Sequence, residues 1–187
     1  MNSCQATSES RRQRFARAAG ELYEPLQRYA RRRSTPEIAD DVVADTLLVL
    51  WRRLDEVVDG DELAWCYGVA RRVLANHRRS ETRRRRLFDR LTSTTASASA
   101  SATSRPAEAD HPEVRRALAE LAPADREVLM LWAWEGLQPG EMATVLAITS
   151  NAATIRLHRA KRRLRRRLER RQTAASAGQS PFGLRED

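Results

Sequence analysis

The sequence predicts an all-α protein of two small helical domains joined by a flexible linker, the second of them a helix-turn-helix domain. Apolar residues recur at spacings of three and four, and no alternating run bounded by turn signals predicts a strand. A stretch without large apolar residues separates the two helical parts. With 187 residues, 41% of them hydrophobic, the chain is long enough for two small cores.

The dividing stretch covers residues 92–110 and consists mainly of serine, alanine and threonine. It cannot bury enough apolar area to offset the entropy lost on ordering, so we expect a flexible linker. A polar tail is expected over residues 172–187. The predicted folded domains are therefore residues 11–91 and 111–171.

Three helices are expected in the first domain. Ser34 or Thr35 can cap the second, with Pro36 in its first turn, and the third is expected from about Glu62 to Arg79. The residues predicted to face inward are Phe15, Ala18, Leu22, Leu26 and Tyr29, then Ile38, Val42, Leu47, Leu50, Leu54 and Val57, and finally Leu63, Tyr67, Ala70 and Leu74.

In the second domain, prolines mark three predicted helix starts, at Pro112, Pro123 and Pro139. The short helix from Pro139 is expected to end near Leu146, and a last helix to begin at Ser150 or Asn151 after a turn of small residues. The residues predicted to face inward are Val114, Ala117, Leu118 and Leu121, then Val128, Leu129 and Trp132, and finally Ala153, Leu157, Ala160, Leu164 and Leu168, with Trp134 at the rim.

Positive charge is concentrated in this last helix. The chain has a net charge of +9, and ten of the sixteen residues from Arg156 to Arg171 are basic, against one acid, Glu169. A major groove accepts an α-helix and phosphates attract arginine, so the pattern predicts duplex DNA binding. The alternative is a solvated face that only keeps the protein soluble.

The first domain separates its charges. Residues 37–62 carry nine acids and two bases, whereas residues 71–86 carry eight arginines and one acid. The acidic helix cannot lie on DNA, so it either binds a basic protein partner or is a solvated face.

Basic and aromatic residues mix in the third helix, where spacing places Trp65, Arg72, Asn76 and Arg79 roughly on one side. Arginines can hold phosphates, and an aromatic ring can stack on an unpaired base. The alternative is that Trp65 and Tyr67 belong to the core, which we favour for Tyr67.

Other classes of protein find little support. Cys4 and Cys66 lack metal-ligand spacing, so we expect neither a metal site nor a disulfide, and Cys66 is expected to be a buried thiol. The sequence has no bilayer-spanning stretch, signal peptide, phosphate-binding loop or nucleophile motif. A cytoplasmic protein without catalytic activity or cofactor is expected.

Three runs of residues together resemble bacterial sigma factors of the sigma-70 family, extracytoplasmic-function (ECF) group. The first spans residues 40–54 and the second residues 65–76. The third includes Arg126-Glu127-Val128-Leu129 and Arg156-Leu157-His158-Arg159-Ala160. The resemblance covers about residues 15–90 and 111–170, with a linker between them, as ECF sigma factors have.

This resemblance implies that the chain directs RNA polymerase core enzyme to promoters, with an anti-sigma factor as a further expected partner and no membrane partner. The implied polymerase-binding residues are Asp40, Asp41, Asp45, Leu48, Leu50, Trp51 and Leu54. The implied minus-ten residues are Asp59, Gly60, Asp61, Trp65, Arg71, Arg72, Asn76 and Arg79. The implied minus-thirty-five residues, in a helix-turn-helix over about 138–157 and the basic helix after it, are Ser150, Asn151, Thr154, Arg156, His158, Arg159, Lys161 and Arg162.

Several positions depart from the family pattern. Ala147 stands where the helix-turn-helix turn usually has glycine, and Gln138 begins the motif where serine or threonine is usual. Ala153 replaces a typical valine, and Arg72 replaces the asparagine of the minus-ten helix.

Two other functions fit the same sequence. A stand-alone helix-turn-helix regulator would use the first domain to sense a signal or to dimerise. An RNA-binding or structural helical protein would show salt-sensitive binding without preference for an upstream sequence.

Overall fold

A computed structural model describes residues 2–58, 60–91 and 111–177, with side chains described for residues 9–58, 60–89 and 111–173. All the regular elements of these residues are helical, as the sequence predicts. The α-helices are α1 (Asn2–Arg31), α2 (Pro36–Arg53), α3 (Glu62–Leu91), α4 (Pro112–Ala119), α5 (Pro123–Ala133), α6 (Pro139–Leu146) and α7 (Ser150–Ala177), and a 3₁₀ helix (Leu54–Glu56) follows α2.

Proline marks the start of four helices. Pro36, Pro112, Pro123 and Pro139 each occupy the first helical position, where the missing N–H costs no hydrogen bond. The predicted starts of these helices are confirmed, as is the start of α7 at Ser150.

Three helices extend further than the sequence indicated. Helix α1 begins at Asn2 rather than near residue 11, α3 continues past Arg79 to Leu91, and α7 reaches Ala177 inside the expected tail. The added residues of α3 are rich in arginine, which favours helix. No proline or glycine interrupts any of the three extended ends, so no helix breaker stops them. The linker prediction for residues 92–110 lies outside the described residues.

The described chain divides into two compact units, the first containing α1 to α3. Leu26, Tyr29 and Leu50 are fully buried in its core, and Tyr29 stacks on Tyr67 with ring centroids 4.8 Å apart. Cys66 is buried as predicted, and this burial, with a smaller contribution from the charge of Glu62, raises the pKa of its thiol to about 12.

The second unit contains α4, α5, most of α6 and α7. Val128, Leu131 and Met142 are fully buried, together with Ala153 and Ala160 of α7. Helix α7 therefore faces the core with the apolar stripe that its spacing predicts.

Arg126 of α5 holds the end of α4. Its guanidinium donates to the backbone carbonyls of Leu118 at 2.9 Å, Ala119 at 2.6 Å and Leu121 at 3.2 Å. The last carbonyls of a helix lack the usual partners within the helix. The Leu118 carbonyl also accepts from the Leu121 N–H at 3.2 Å, so Arg126 adds a charged donor to a chain turn that has one backbone hydrogen bond of its own.

The turn between α6 and α7 is a Schellman motif. The N–H of Ile148 donates to the carbonyl of Ala143 at 3.1 Å, and that of Ala147 to Thr144 at 3.4 Å. Ala147 occupies the left-handed region, with φ of 53°, at the position where this motif prefers glycine. The sequence departure at Ala147 therefore places an alanine in a strained conformation.

Replacing Ala147 with glycine is expected to stabilise the protein by about 0.5–1 kcal/mol. The left-handed conformation costs an L-residue about 1–2 kcal/mol, which glycine would avoid. The greater flexibility of glycine in the unfolded chain offsets about 0.4–1 kcal/mol of this gain. Urea unfolding measures the difference. Ala147→Val is the control and should destabilise, since a β-branched residue fits this region poorly; a glycine variant no more stable than the parent would contradict the strain.

Candidate protein-binding and nucleic-acid-binding surfaces

Helix α2 presents an acidic patch, which we define as Asp40, Asp41, Asp45 and Leu48. All four are exposed, opposite the buried side of the helix, and the Leu48 side chain is 46% exposed. At one flank, Gln27 of α1 donates to Asp40 at 2.6 Å; at the other, Nε2 of His77 in α3 lies 4.0 Å from Asp45. An exposed leucine among carboxylates suits a partner that is basic and partly apolar.

Burial corrects part of the expected polymerase-binding set. Leu50 and Leu54 are fully buried, so their side chains stabilise the first unit and form no part of its surface. Trp51 is half-buried: Phe15 meets its ring edge-on at 5.1 Å, and the Arg11 guanidinium lies 5.0 Å from its centroid. The apolar spacing of Leu50 and Leu54 predicted an inward face, and the structure confirms that burial.

A short turn leads into α3. Gly60 has φ of +95°, and its N–H donates to the Glu62 carboxylate at 2.7 Å. The Asp61 carbonyl accepts the first backbone hydrogen bond of the helix, from Trp65 at 3.0 Å. Asp59, the third residue of the predicted turn, lies outside the described residues.

One face of α3 carries Trp65, Arg72, Asn76 and Arg79, on the side away from the buried Tyr67. Trp65 is half-buried and the other three are exposed. Arg79 donates to Asn76 at 2.5 Å, and Arg72 donates to the Gly68 carbonyl at 3.1 Å. Arg71 is also exposed, so the structure presents these cations beside the half-buried Trp65.

Two caps fix the helices of the helix-turn-helix. The Glu141 carboxylate accepts from the Gln138 N–H at 2.7 Å, which supplies half of a capping box although Gln138 is not the usual serine or threonine. The Thr149 hydroxyl accepts from the Ala152 N–H at 3.2 Å and so caps α7. The start of α7 is thereby set by Thr149, immediately before the predicted position.

The face of α7 opposite its buried stripe, which we call the outward face, carries most of the predicted base-contacting residues. Asn151, Thr154 and His158 are exposed on this face or its margin. Ser150 is exposed in the first turn, but its spacing from Ala153 places it on the side of the buried stripe, and its carbonyl accepts from Thr154 at 3.0 Å. The basic residues expected at phosphates differ: Arg159 and Arg162 are exposed, whereas Arg156 and Lys161 are half-buried.

Trp132 is a second correction, since it was expected in the core and is 45% exposed. The Lys161 ammonium lies 3.4 Å from the centroid of its ring, close enough for a cation–π interaction. Lys161 therefore already has a partner within the domain.

Several arginines of α7 hold the second unit together. Arg163 pairs with Asp125, which is buried, and Arg167 and Arg171 both pair with Glu120, the former at 3.0 Å. The positive charge of α7 thus includes arginines that pair within the unit, such as Arg163 and Arg167. It also includes exposed arginines, among them Arg159 and Arg162 of the predicted phosphate-contacting set.

Sequence reasoning missed Ile155, whose side chain is 42% exposed on the outward face. It borders a concavity of about 370 Å³, together with Ala152 and the charged side chains of Asp125, Arg156, Arg159 and Arg163. The position of Ile155 opposite Ala153 and Ala160 on a helical wheel was the available signal.

Within the described residues, no helix has the length and apolar character needed to cross a bilayer. No cluster of three or more histidine, cysteine, aspartate or glutamate side chains in the same residues is arranged to hold a metal ion.

Comparison with known proteins identifies both units. The family model for sigma-70 region 2 matches residues 19–84, and that for sigma-70, region 4 matches residues 111–164. The RNA polymerase sigma-E factor of Streptomyces avermitilis is 34% identical over 142 residues, covering 76% of this chain and 77% of that protein. The chain therefore belongs to the sigma-70 family of RNA polymerase sigma factors, in its ECF group.

Solved structures share the fold. The sigma factor RpoE of Bartonella quintana, in complex with the anti-sigma factor NepR, matches with a TM-score of 0.55 and 23% identity, covering 83% of this chain and 96% of that one. CnrH, in complex with the cytosolic domain of CnrY, matches with a TM-score of 0.54 and 23% identity, covering 89% of each chain.

A sigma factor directs promoter-specific transcription initiation, and this function is the one that the two matched regions define. A stand-alone regulator is not favoured, because region 2 precedes the helix-turn-helix region in the same chain.

Proposed function

We propose that the chain divides its task between two domains, residues 11–91 and 111–171. The first binds RNA polymerase core enzyme and the minus-ten element, and the second binds the minus-thirty-five element. Residues 92–110 are proposed to link them and residues 172–187 to form a polar tail. The observation that carries the proposal is the order of surfaces along the chain: acidic α2, basic-aromatic α3, then a helix-turn-helix with a basic helix.

The acidic patch is proposed to bind a basic coiled coil on the polymerase clamp. Its carboxylates supply complementary charge, and Leu48 supplies an apolar centre that becomes dry on binding. Leu50 and Leu54 pack in the core and so hold in place the helix that carries this surface. Trp51 of the same helix packs against the Arg11 guanidinium.

The segment over residues 58–63, which includes the first residues of α3, is proposed to hold a flipped base of the non-template strand. Asp59, Gly60 and Asp61 would surround the base, while Trp65 stacks beside it. Phosphates of the melted strand would lie along α3, held by its exposed side chains Arg71, Arg72, Asn76 and Arg79.

The outward face of α7 is proposed to enter the major groove of the upstream element. Asn151, Ser150, Thr154 and His158 would contact base edges, because their polar groups are exposed near the start of the helix. Arg156, Arg159 and Arg162 would hold phosphates. Lys161, whose ammonium lies over the Trp132 ring, would add a further phosphate contact from that position.

We also propose a cytoplasmic, non-catalytic protein that an anti-sigma factor regulates. Its structural relatives RpoE and CnrH were solved with an anti-sigma factor or with the cytosolic domain of CnrY, which supports a partner of this kind. The acidic patch is the surface that such a partner could cover in competition with the polymerase.

The decisive experiment adds the purified chain to RNA polymerase core enzyme and sequences the transcripts made from a promoter library. Transcripts starting at a shared pair of upstream elements are the expected result. A chain that binds DNA by itself but never associates with the core enzyme would instead be a stand-alone regulator.

Changing Asn151 and Thr154 to alanine is expected to relax the preference for the upstream element by ~1–3 kcal/mol per lost base contact. Transcription from promoters with each upstream base substituted measures this preference. Arg162→Ala is the matched control, since loss of a phosphate contact should weaken binding to all sequences alike and lower its salt dependence. A double variant with unchanged base preference would exclude both side chains from base contact.

A further inference from the structure

Ile155 is an aliphatic side chain on a face that is otherwise polar. A single exposed isoleucine is ordinary on a protein surface, and its exposure alone indicates nothing. Its position is the informative feature, because Asn151 and Arg159 lie one turn before and after it, and His158 lies three residues on. Ile155 therefore stands at the middle of the face proposed to enter the groove.

The side chains around Ile155 form one small apolar area and one charged area. Ala152 and Ile155 form the apolar part of the concavity on this flank of α7, whose remaining lining is arginine and aspartate. Asp125 and Arg163 pair with each other there. The apolar strip thus lies between side chains suited to phosphates and side chains suited to base edges.

One chemical group of unmodified DNA matches such a strip in the major groove. Each base pair presents donors and acceptors there, but only thymine presents an apolar group, its C5-methyl. Isoleucine has no donor or acceptor for the edge of any base, so its side chain distinguishes bases through this methyl group or by steric exclusion.

We propose that Ile155 contacts the C5-methyl group of a thymine in the upstream element and so determines base preference at that position. The inference rests on the proposed function, because it requires the outward face of α7 to lie in the major groove. It adds an apolar contact to the polar contacts of Asn151 and Thr154.

Replacing thymine with deoxyuridine tests the proposal, since this removes the methyl group and leaves base pairing intact. Each thymine of the upstream element, on either strand, is replaced singly in a promoter that the holoenzyme transcribes. At one position we expect the affinity of the holoenzyme to fall about fourfold, the effect of one buried methyl group. With Ile155→Ala, the same replacement should leave the affinity unchanged.

Two controls make the result specific. Leu87→Ala removes a similarly exposed aliphatic side chain from α3 and should keep the full response to deoxyuridine. Ile155→Val retains a branched side chain and should keep part of it, which separates loss of contact from loss of folding.

The proposal is overturned if no thymine responds in the parent protein, or if Ile155→Ala responds as the parent does. Failure of the proposed function is distinguishable, since the parent chain would then give no promoter-specific transcripts with core enzyme, and the present proposal would fall with it. Transcripts that form normally but ignore every deoxyuridine would overturn only the role of Ile155.

Discussion

Replacing Asp41 and Asp45 with arginine is expected to weaken binding of the chain to RNA polymerase core enzyme by about 100-fold. Both carboxylates are exposed, and we propose that they face basic groups of the clamp. Charge reversal converts attraction into repulsion between groups that lose water on association, and this repulsion costs several kcal/mol of binding free energy. A loss of about 3 kcal/mol corresponds to a 100-fold weaker affinity.

The measurement is titration of labelled core enzyme with the full chain at fixed ionic strength. Because both side chains are exposed, the variant should unfold at the same urea concentration as the parent. Glu21→Arg with Glu81→Arg is the matched control, since it changes two exposed acids outside the patch and gives the same net charge. Equal weakening by the two double variants would show that overall charge, and not this patch, controls the affinity.

The starts of the helices that begin with proline could be predicted from sequence because their determinants are local, whereas the start of α1 could not. Proline at the first helical position acts within one turn, and Pro36, Pro112 and Pro123 illustrate this. The ends of α3 and α7 were placed too early, because an arginine run is compatible with helix and the composition alone contains no stop.

The division of charge on α7 could not be predicted from sequence. Arg163 pairs with a residue 38 positions away, and Arg167 with one 47 positions away, so these pairs depend on how α4 and α5 cross α7. Periodicity identifies the buried side of α7 but not which of its arginines are used by the fold. The same limit explains Trp132, since α5 has a nearly continuous apolar run and its spacing does not decide which residue lies outside the core.

Among the candidate site residues, the exposed polar ones could be placed from sequence, whereas the assignment of buried apolar ones to a binding surface could not. Exposed polar residues such as Asp41, Asn151 and Thr154 lie where helical spacing indicates. Leu50 and Leu54 were assigned to the polymerase-binding set by resemblance, and their apolar spacing already favoured the core, where the structure has them. Periodicity gave the right burial for Leu50 and Leu54, because it follows directly from packing.

Loss of the Arg126 side chain is expected to have the largest effect on folding. Arg126→Ala should lower the free energy of unfolding of the second unit by about 2–4 kcal/mol, because three carbonyls at the end of α4 lose a charged donor together. Arg126→Lys should recover only part of this, since one ammonium cannot reproduce the planar arrangement of guanidinium donors.

Hydrogen exchange under native conditions measures the effect separately in each unit of the full chain. Amides of α4, α5 and α7 should lose protection in Arg126→Ala, whereas those of α2 keep theirs, because Arg126 serves the second unit. Arg115→Ala removes the same charge from the exposed side of α4 and is the matched control. If both variants lose equal protection, charge loss alone explains the change. If only Arg126→Ala loses protection, the contacts of Arg126 with the end of α4 maintain the fold of the second unit.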